Sequence, residues 1–162
     1  MNVLSPTQKA WLAGFIDGEG FIGITFQRKK ENNFQSATPR YHPYLVVTNN
    51  NKDSILYVQK LVGDGRVYRL TRANFPYSPA YQYKLTKGEV LLDLLKELEP
   101  FFVVKKEQSK LLIGYLNLRK ERVVVTGGGS RGKTSFSLEE ENIYQKLLFL
   151  NKRGERIRNG TS

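Results

Sequence analysis

The hydrophobic period changes abruptly near Gly20, and that switch constrains the fold more than any other feature of the chain. Upstream, Ser5-Pro6-Thr7-Gln8 reads as a helix start. Ser supplies the capping oxygen, Pro suits the first helical position, and Gln closes a capping box three residues on. A helix is expected from about Pro6 to Asp17. Downstream, Phe21 to Lys29 alternates strictly, with Ile22, Ile24 and Phe26 on one strand face and Gly23, Thr25, Gln27 and Lys29 on the other. Between them lies Trp11-Leu12-Ala13-Gly14-Phe15-Ile16-Asp17-Gly18-Glu19-Gly20, an apolar helix that ends on two carboxylates. The last turn of a helix already presents unpaired carbonyls and the negative end of the macrodipole. Something positive must offset Asp17 and Glu19, and a divalent cation would do so. Small residues at 14, 18 and 20 let a twin helix approach, and a glycine after the last turn permits reversal with a positive φ. Close pairing of acidic tips suggests two chains delivering carboxylates to one centre.

The same order then recurs. A polar connection, Lys30–Pro39, leads to a strand at about Arg40–Thr48 with Leu45 and Val47 facing in and Arg40, His42, Tyr44, Val46 and Thr48 facing out. Asn49 to Asp53 is turn and cap chemistry. Ile55, Val58, Leu61 and Val62 form an amphipathic helix ending at Gly63. Strands are expected at Gly65–Arg72 and Ala80–Thr86, then a helix carrying Leu91, Leu94, Leu95 and Leu98 up to Pro100. A further helix at about Val104–Arg119 presents Leu111, Leu112, Tyr115 and Leu118 on one face. Glu121–Ser135 reads as a Gly-rich basic loop. Ser137 with Glu140 opens a last helix to about Asn151, with Ile143, Leu147 and Leu150 inward, before a basic tail, Lys152–Ser162. The pattern is α+β: an αββαββα core with one antiparallel four-stranded sheet, helices on one face, and C-terminal helices. Residues 1–162 read as one domain.

Charge narrows the partners. Lys and Arg number 26 against 15 Asp and Glu, a net charge of +11. Such an excess points to a polyanion, with nucleic acid first and an anionic membrane surface second. No apolar run approaches the roughly 20 residues of a spanning helix, and the polar stretch Met1–Lys9 reads as no secretory signal. With no cysteine, disulfides, thiolate metal sites and a cysteine nucleophile are excluded, and the single histidine, His42, excludes a multi-His metal site. Chemistry must come from carboxylates, lysines and amides.

The segment Trp11–Gly20 closely resembles the signature of LAGLIDADG homing endonucleases, whose name is the consensus of this stretch. The similarity extends through the strand pair, Leu-Val-Gly-Asp-Gly at 61–65 and Pro-Phe-Phe-Val-Val-Lys-Lys at 100–106, from about Leu4 to Arg119. Leu112-Ile113-Gly114-Tyr115-Leu116-Asn117 echoes the motif but lacks the Gly-acid-Gly ending, so one motif is present. Members with one motif act as homodimers, which implies that Trp11, Leu12, Gly14 and Phe15 meet a second chain and that the target is palindromic or near-palindromic.

The resemblance also implies roles. Glu19 would ligate metal, one from each subunit, beside the Gly18 carbonyl; Asp17 would chiefly finish the helix, with a minor claim as a ligand. Oxygen ligands suit Mg2+, with Mn2+ expected to substitute and Ca2+ to bind without supporting cleavage. Lys105 would stand near the scissile phosphate, the register against Lys106 being open, and Asn49 would order water unless it caps a helix. Outward strand residues would read bases in the major groove: Thr25, Gln27, Lys29, Arg40, His42, Tyr44, Gln82 and Lys84, then Tyr68 and Arg72. Arg131, Lys133, Lys152, Arg153, Arg156 and Arg158, with the stretch beginning at Arg119, would contact phosphates.

The expected function is therefore a site-specific double-strand DNA endonuclease of the intron- or intein-mobility kind, acting inside a cell or organelle on no small molecule and no membrane. It would cut by metal-activated water and leave short 3′ overhangs. Two alternatives stand beside it: an RNA-splicing maturase and a non-catalytic DNA-binding protein on the same fold.

Overall fold

The computed structural model describes residues 3–27, 40–70, 79–125 and 137–152. The elements run α1 (Pro6–Glu19), β1 (Gly20–Gln27), β2 (Arg40–Asn49), α2 (Lys52–Val62), β3 (Arg66–Leu70), β4 (Ala80–Leu85), α3 (Gly88–Leu98), a 3-10 turn (Glu99–Phe101), α4 (Lys106–Val125) and α5 (Leu138–Asn151). The expected α+β order is present.

The capping box that starts α1 is complete: the Gln8 N–H donates to Ser5 Oγ at 3.3 Å, and the Ser5 N–H donates to Gln8 Oε1 at 2.9 Å. The helix runs two residues past the expected Asp17, so both carboxylates lie within it. Gly20 corrects another expectation. Its φ is −92°, so no left-handed reversal occurs. Glycine is needed there because a Cβ would stand 2.6 Å from the Ile16 carbonyl oxygen. The chain therefore passes from helix to strand with no loop, and Glu19 is fixed at the sheet's margin.

The strands form one antiparallel sheet in the order β1-β2-β4-β3. Successive residues point to opposite faces, so one face carries Ile22, Leu45, Val47, Tyr83 and Leu85, all fully buried. Leu12, Ala13 and Ile16 of α1, Ile55 and Val58 of α2, Leu91 and Leu95 of α3, Leu112 and Tyr115 of α4, and Leu147 of α5 complete this core. Phe26 was expected among them but remains 36% exposed. At the far end of β1 its ring leans on Tyr41 and Tyr144, with centroids 4.9 and 6.1 Å away, and is not enclosed.

The turn before β3 requires glycine twice. Gly63 and Gly65 have φ of 74° and 89°, and a Cβ on Gly65 would also strike the Tyr83 ring at 2.6 Å. Tyr83 donates to the Asp64 carbonyl at 2.8 Å, and burial pushes its hydroxyl above the ordinary phenol range. The Gly65 N–H, and then Lys87, hold the Asp64 carboxyl below its usual value.

Helix α4 extends to Val125, so the start of the expected loop at Glu121 is helical. Arg119, expected to lead a phosphate-contacting loop, instead lies in α4 and donates to the Tyr41 carbonyl at 2.9 Å. Helix α5 closes the β1 side of the molecule. Its capping box pairs Ser137 with Glu140, its Glu141 accepts from the Tyr41 hydroxyl, and its Asn151 donates to the Ile22 carbonyl of the edge strand at 2.9 Å.

Candidate active site

The two carboxylates at the end of α1 have separate environments. Asp17 turns toward the segment that leads into α4. Its Oδ2 accepts from the backbone N–H groups of Val103 (2.8 Å) and Val104 (3.1 Å), and its Oδ1 accepts from that of Lys105 (2.8 Å). In return the Lys105 ammonium donates to the Asp17 backbone carbonyl. An ionised carboxylate has about four lone-pair positions, and three are engaged. The positive partner demanded by the acidic helix end is thus supplied largely from within the chain: three N–H dipoles for Asp17, and a cation at the negative pole of α1. Lys106 is exposed at the first position of α4, so Lys105, not its neighbour, meets the motif helix.

Glu19 is exposed, and among the described residues no side chain or backbone group lies within hydrogen-bonding or ion-pairing distance of its carboxylate. It opens onto a concavity of about 550 Å3 lined by Gly18, Glu19, Gly20, Phe21, Val46, Thr48 and Asn151. Among the described residues no group of three or more His, Asp or Glu side chains is placed to hold a metal ion. One carboxylate is too few to hold a hard cation, which takes six or more oxygens. One chain therefore offers a fraction of such a shell: the Glu19 carboxylate and the backbone carbonyls near it.

Asn49 is the last residue of β2, and its Oδ1 accepts from the Asn51 N–H at 2.8 Å. Asn51, not Asn49, caps α2, accepting from the Ser54 N–H at 3.0 Å. That leaves Asn49 its amide NH2 and one Oδ1 lone pair for ordering water. Thr48, one position earlier and on the other face, lines the concavity beside Glu19.

The outer sheet face carries most of the residues expected to read bases. Thr25 and His42 pair across β1 and β2 and are both exposed; Gln27 and Arg40 pair next along the ladder. Gln82 donates to Thr48 Oγ1 at 3.2 Å and pairs with the exposed Tyr68. Lys84 stands between Val46 and the exposed Arg66 in one cross-strand row, with its ammonium 5.6 Å from the Tyr44 ring centroid. Lys152 is exposed at the end of α5. Lys29, Arg72, Arg131, Lys133, Arg153, Arg156 and Arg158 lie outside the described residues, as do the side chains of Gln27 and Arg40. Phe21 and Asn151 were missed. Phe21 shares the outward parity of Gly23 and Thr25, a signal present in the sequence. Nothing in the sequence brings Asn151 to the end of α1.

The exposed side of α1 presents Trp11, Gly14, Phe15 and Gly18. Trp11 is 38% exposed, stacks on Phe15 at 5.1 Å and meets Tyr57 of α2 edge-on at 4.9 Å. A Cβ on Gly14 or Gly18 would meet nothing within 4 Å. Leu12 departs from expectation: it is fully buried in its own chain's core and offers no surface to a second copy. It lies a quarter-turn from Trp11, on the side that faces the sheet.

The sequence profile of the family described as LAGLIDADG endonuclease matches residues 12–122. No curated protein sequence matches the chain. Several solved structures share its fold. I-CvuI, a homing endonuclease solved with the I-CreI target in the presence of Mg and with the DNA not cleaved, is 22% identical with a TM-score of 0.57, over 90% of this chain and 96% of that one. The archaeal intron-encoded homing endonuclease I-Vdi141I, complexed with DNA, is 18% identical with a TM-score of 0.57, over 89% and 96% of the two chains. I-CeuI, a group I intron-encoded homing endonuclease complexed with DNA, is 16% identical with a TM-score of 0.65, over 98% and 72%.

Proposed function

The chain belongs to the LAGLIDADG endonuclease family, and from that premise we propose that it is a homodimeric, Mg2+-dependent, site-specific DNA endonuclease, each copy forming one domain. The observation that carries the reading is the exposed Glu19, unpaired among the described residues, at the margin of an outward sheet face with a basic row. A binding protein gains nothing from an unpartnered carboxylate beside a polyanion; a nuclease needs one to hold a cation there.

Each copy supplies half of the centre. Trp11, Gly14, Phe15 and Gly18 form the seam, the open space over both glycines letting the paired helices approach. Two Glu19 carboxylates, with Gly18 carbonyls, then hold the cations. The donor set is all oxygen, which fits Mg2+ or Mn2+ and also accepts Ca2+. A bound divalent ion supplies charge that makes water more acidic and offsets the developing charge on the leaving 3′ oxygen. The residues do the rest. Asp17 holds the backbone at 103–105, so the Lys105 ammonium is fixed at the end of α1, where it stabilises negative charge on the scissile phosphate. Thr48, which lines the same concavity as Glu19, orders water there. The sheet lies along the major groove of each half-site, with Arg66 and Lys84 offsetting phosphate charge and Thr25, His42, Tyr44, Tyr68 and Gln82 facing base edges. Two copies related by a twofold axis select a near-palindromic target, cut without a covalent intermediate to leave short 3′ overhangs.

Cleavage selection from a randomised DNA library with Mg2+ tests this. Wild type is expected to yield a defined product set and the Glu19→Gln variant none. A variant that cuts as well as wild type overturns the mechanism; a wild type that binds but never cuts makes the chain a binding protein only.

A further inference from the structure

The outer sheet face is polar along most of its length, except beside Glu19. There the row nearest the acidic tip begins with Phe21 and its cross-strand partner Val46. Phe21 is 37% exposed on a face that no helix among the described residues covers. Its ring does not project freely. It folds back along the strand over Gly23 and stacks on Tyr44, with centroids 5.5 Å apart and planes at 23°. Gly23 makes that pose possible, since a Cβ there would stand 2.5 Å from Phe21 Cε1. Lys84 braces the Tyr44 ring with its ammonium. The result is a fixed, outward apolar shelf in the same concavity as Glu19.

We propose that Phe21, held by Gly23 and Tyr44, selects thymine at the base pair of each half-site nearest the target's centre by contact with its 5-methyl group. This rests on the DNA-cleaving reading and adds a determinant of sequence to it. In the major groove each base pair shows a distinct edge, and only thymine offers a methyl; guanine, adenine and cytosine present hydrogen-bonding groups. A phenyl ring pressed against those edges strips their water and returns no hydrogen bond, which is costly. Against a methyl it buries apolar surface instead. Because the ring is already stacked in place, contact costs little side-chain entropy. Phe21 follows Glu19 by two residues and shares its concavity, so the selected pair is the innermost one that the sheet reaches in each half-site, repeated symmetrically by the second copy.

The experiment is binding and cleavage selection from one randomised duplex library, for wild type, Phe21→Ala and Gly23→Ala, followed by deoxyuridine replacement in the wild-type target. Wild type is expected to enrich thymine at one symmetric pair of positions flanking the centre. Phe21→Ala, and Gly23→Ala by displacing the ring, relax that preference and leave the other positions unchanged. Replacing those thymines by deoxyuridine weakens wild-type binding about fourfold per methyl removed. Enrichment without thymine at any central pair, or indifference of wild type to deoxyuridine, overturns the inference while leaving the nuclease reading intact. The deoxyuridine arm needs no variant to fold. Failure of the wild type to bind or cut any DNA overturns both.

Discussion

Asp17 and Lys105 hold each other by opposite ends. The carboxylate of Asp17 accepts from the Lys105 backbone N–H at 2.8 Å, and the Lys105 ammonium donates to the Asp17 backbone carbonyl. Each residue's side chain binds the other's main chain, across 88 positions of sequence. The acidic helix end and the entry to α4 are thereby one unit, and the lysine cannot shift without unseating the aspartate.

Asp17→Ala removes an acceptor shared by three N–H groups. Val103 and Val104 are exposed, so water replaces part of what is lost, and a destabilisation of about 1–3 kcal/mol is expected. Asp17→Asn should cost less, because one oxygen still accepts. Urea denaturation checks both, and an alanine variant as stable as wild type would contradict the capping role.

Glu19→Gln should separate stability from activity. Its carboxylate sits in the last turn of α1 with no offsetting partner among the described residues, so neutralising it stabilises the fold by about 0.3–1 kcal/mol. Cleavage should fall on the order of 100-fold or more. Thermal melting and product formation, measured on one preparation, give both numbers. A large loss of melting temperature would mean that Glu19 is structural.

Gly14 within α1 and Gly20 just after it should respond in opposite ways. Gly14→Ala meets open space within its own chain and gains helix propensity of about 1 kcal/mol, so the folded chain is expected to be stabilised. The added methyl lies in the proposed seam, and sedimentation should show a weaker dimer. Gly20→Ala meets the Ile16 carbonyl at 2.6 Å and should cost about 1–3 kcal/mol. In gel filtration wild type should run near twice 18.6 kDa.

Acid should loosen α5. The Gln145 amide and then the Tyr41 hydroxyl donate to Glu141 and hold its carboxyl below the ordinary value. A depressed folded pKa stabilises above the unfolded value and is lost as pH falls through the folded one. Stability should therefore decline below about pH 4.5, and Glu141→Gln should flatten that decline. Burial, and then the same contact, push the Tyr41 hydroxyl up. Its contribution is complete below the unfolded phenol pKa of about 10 and is lost above it. Ultraviolet titration should find Tyr41 and Tyr83 ionising only as the chain unfolds.

Much of this fold was legible because its signals are local. Ser5 and Ser137 sit three residues from the side chains that complete their boxes. The alternation from Ile22 to Thr25 and from Leu45 to Thr48 assigned each residue to its face, and Gly63 marked the end of α2. Errors fell where the deciding contact is distant. Arg119 looked like the head of a basic loop until the Tyr41 carbonyl, 78 residues away, claimed its guanidinium. Leu12 belongs to a motif expected to pair with a second chain, yet the sheet's own core took it.

The acidic end of α1 shows the division most plainly. The sequence by itself determined that two carboxylates would end an apolar helix, that the polar sheet face would carry the basic residues, and that one chain would hold one motif, because period, caps and charge act over a few residues. Only the tertiary structure decided which carboxylate is spoken for. Backbone N–H groups from residues 103–105 must find an acceptor, and Asp17 is the one they reach; Glu19, on the opposite side of the helix, is left open for whatever completes the centre.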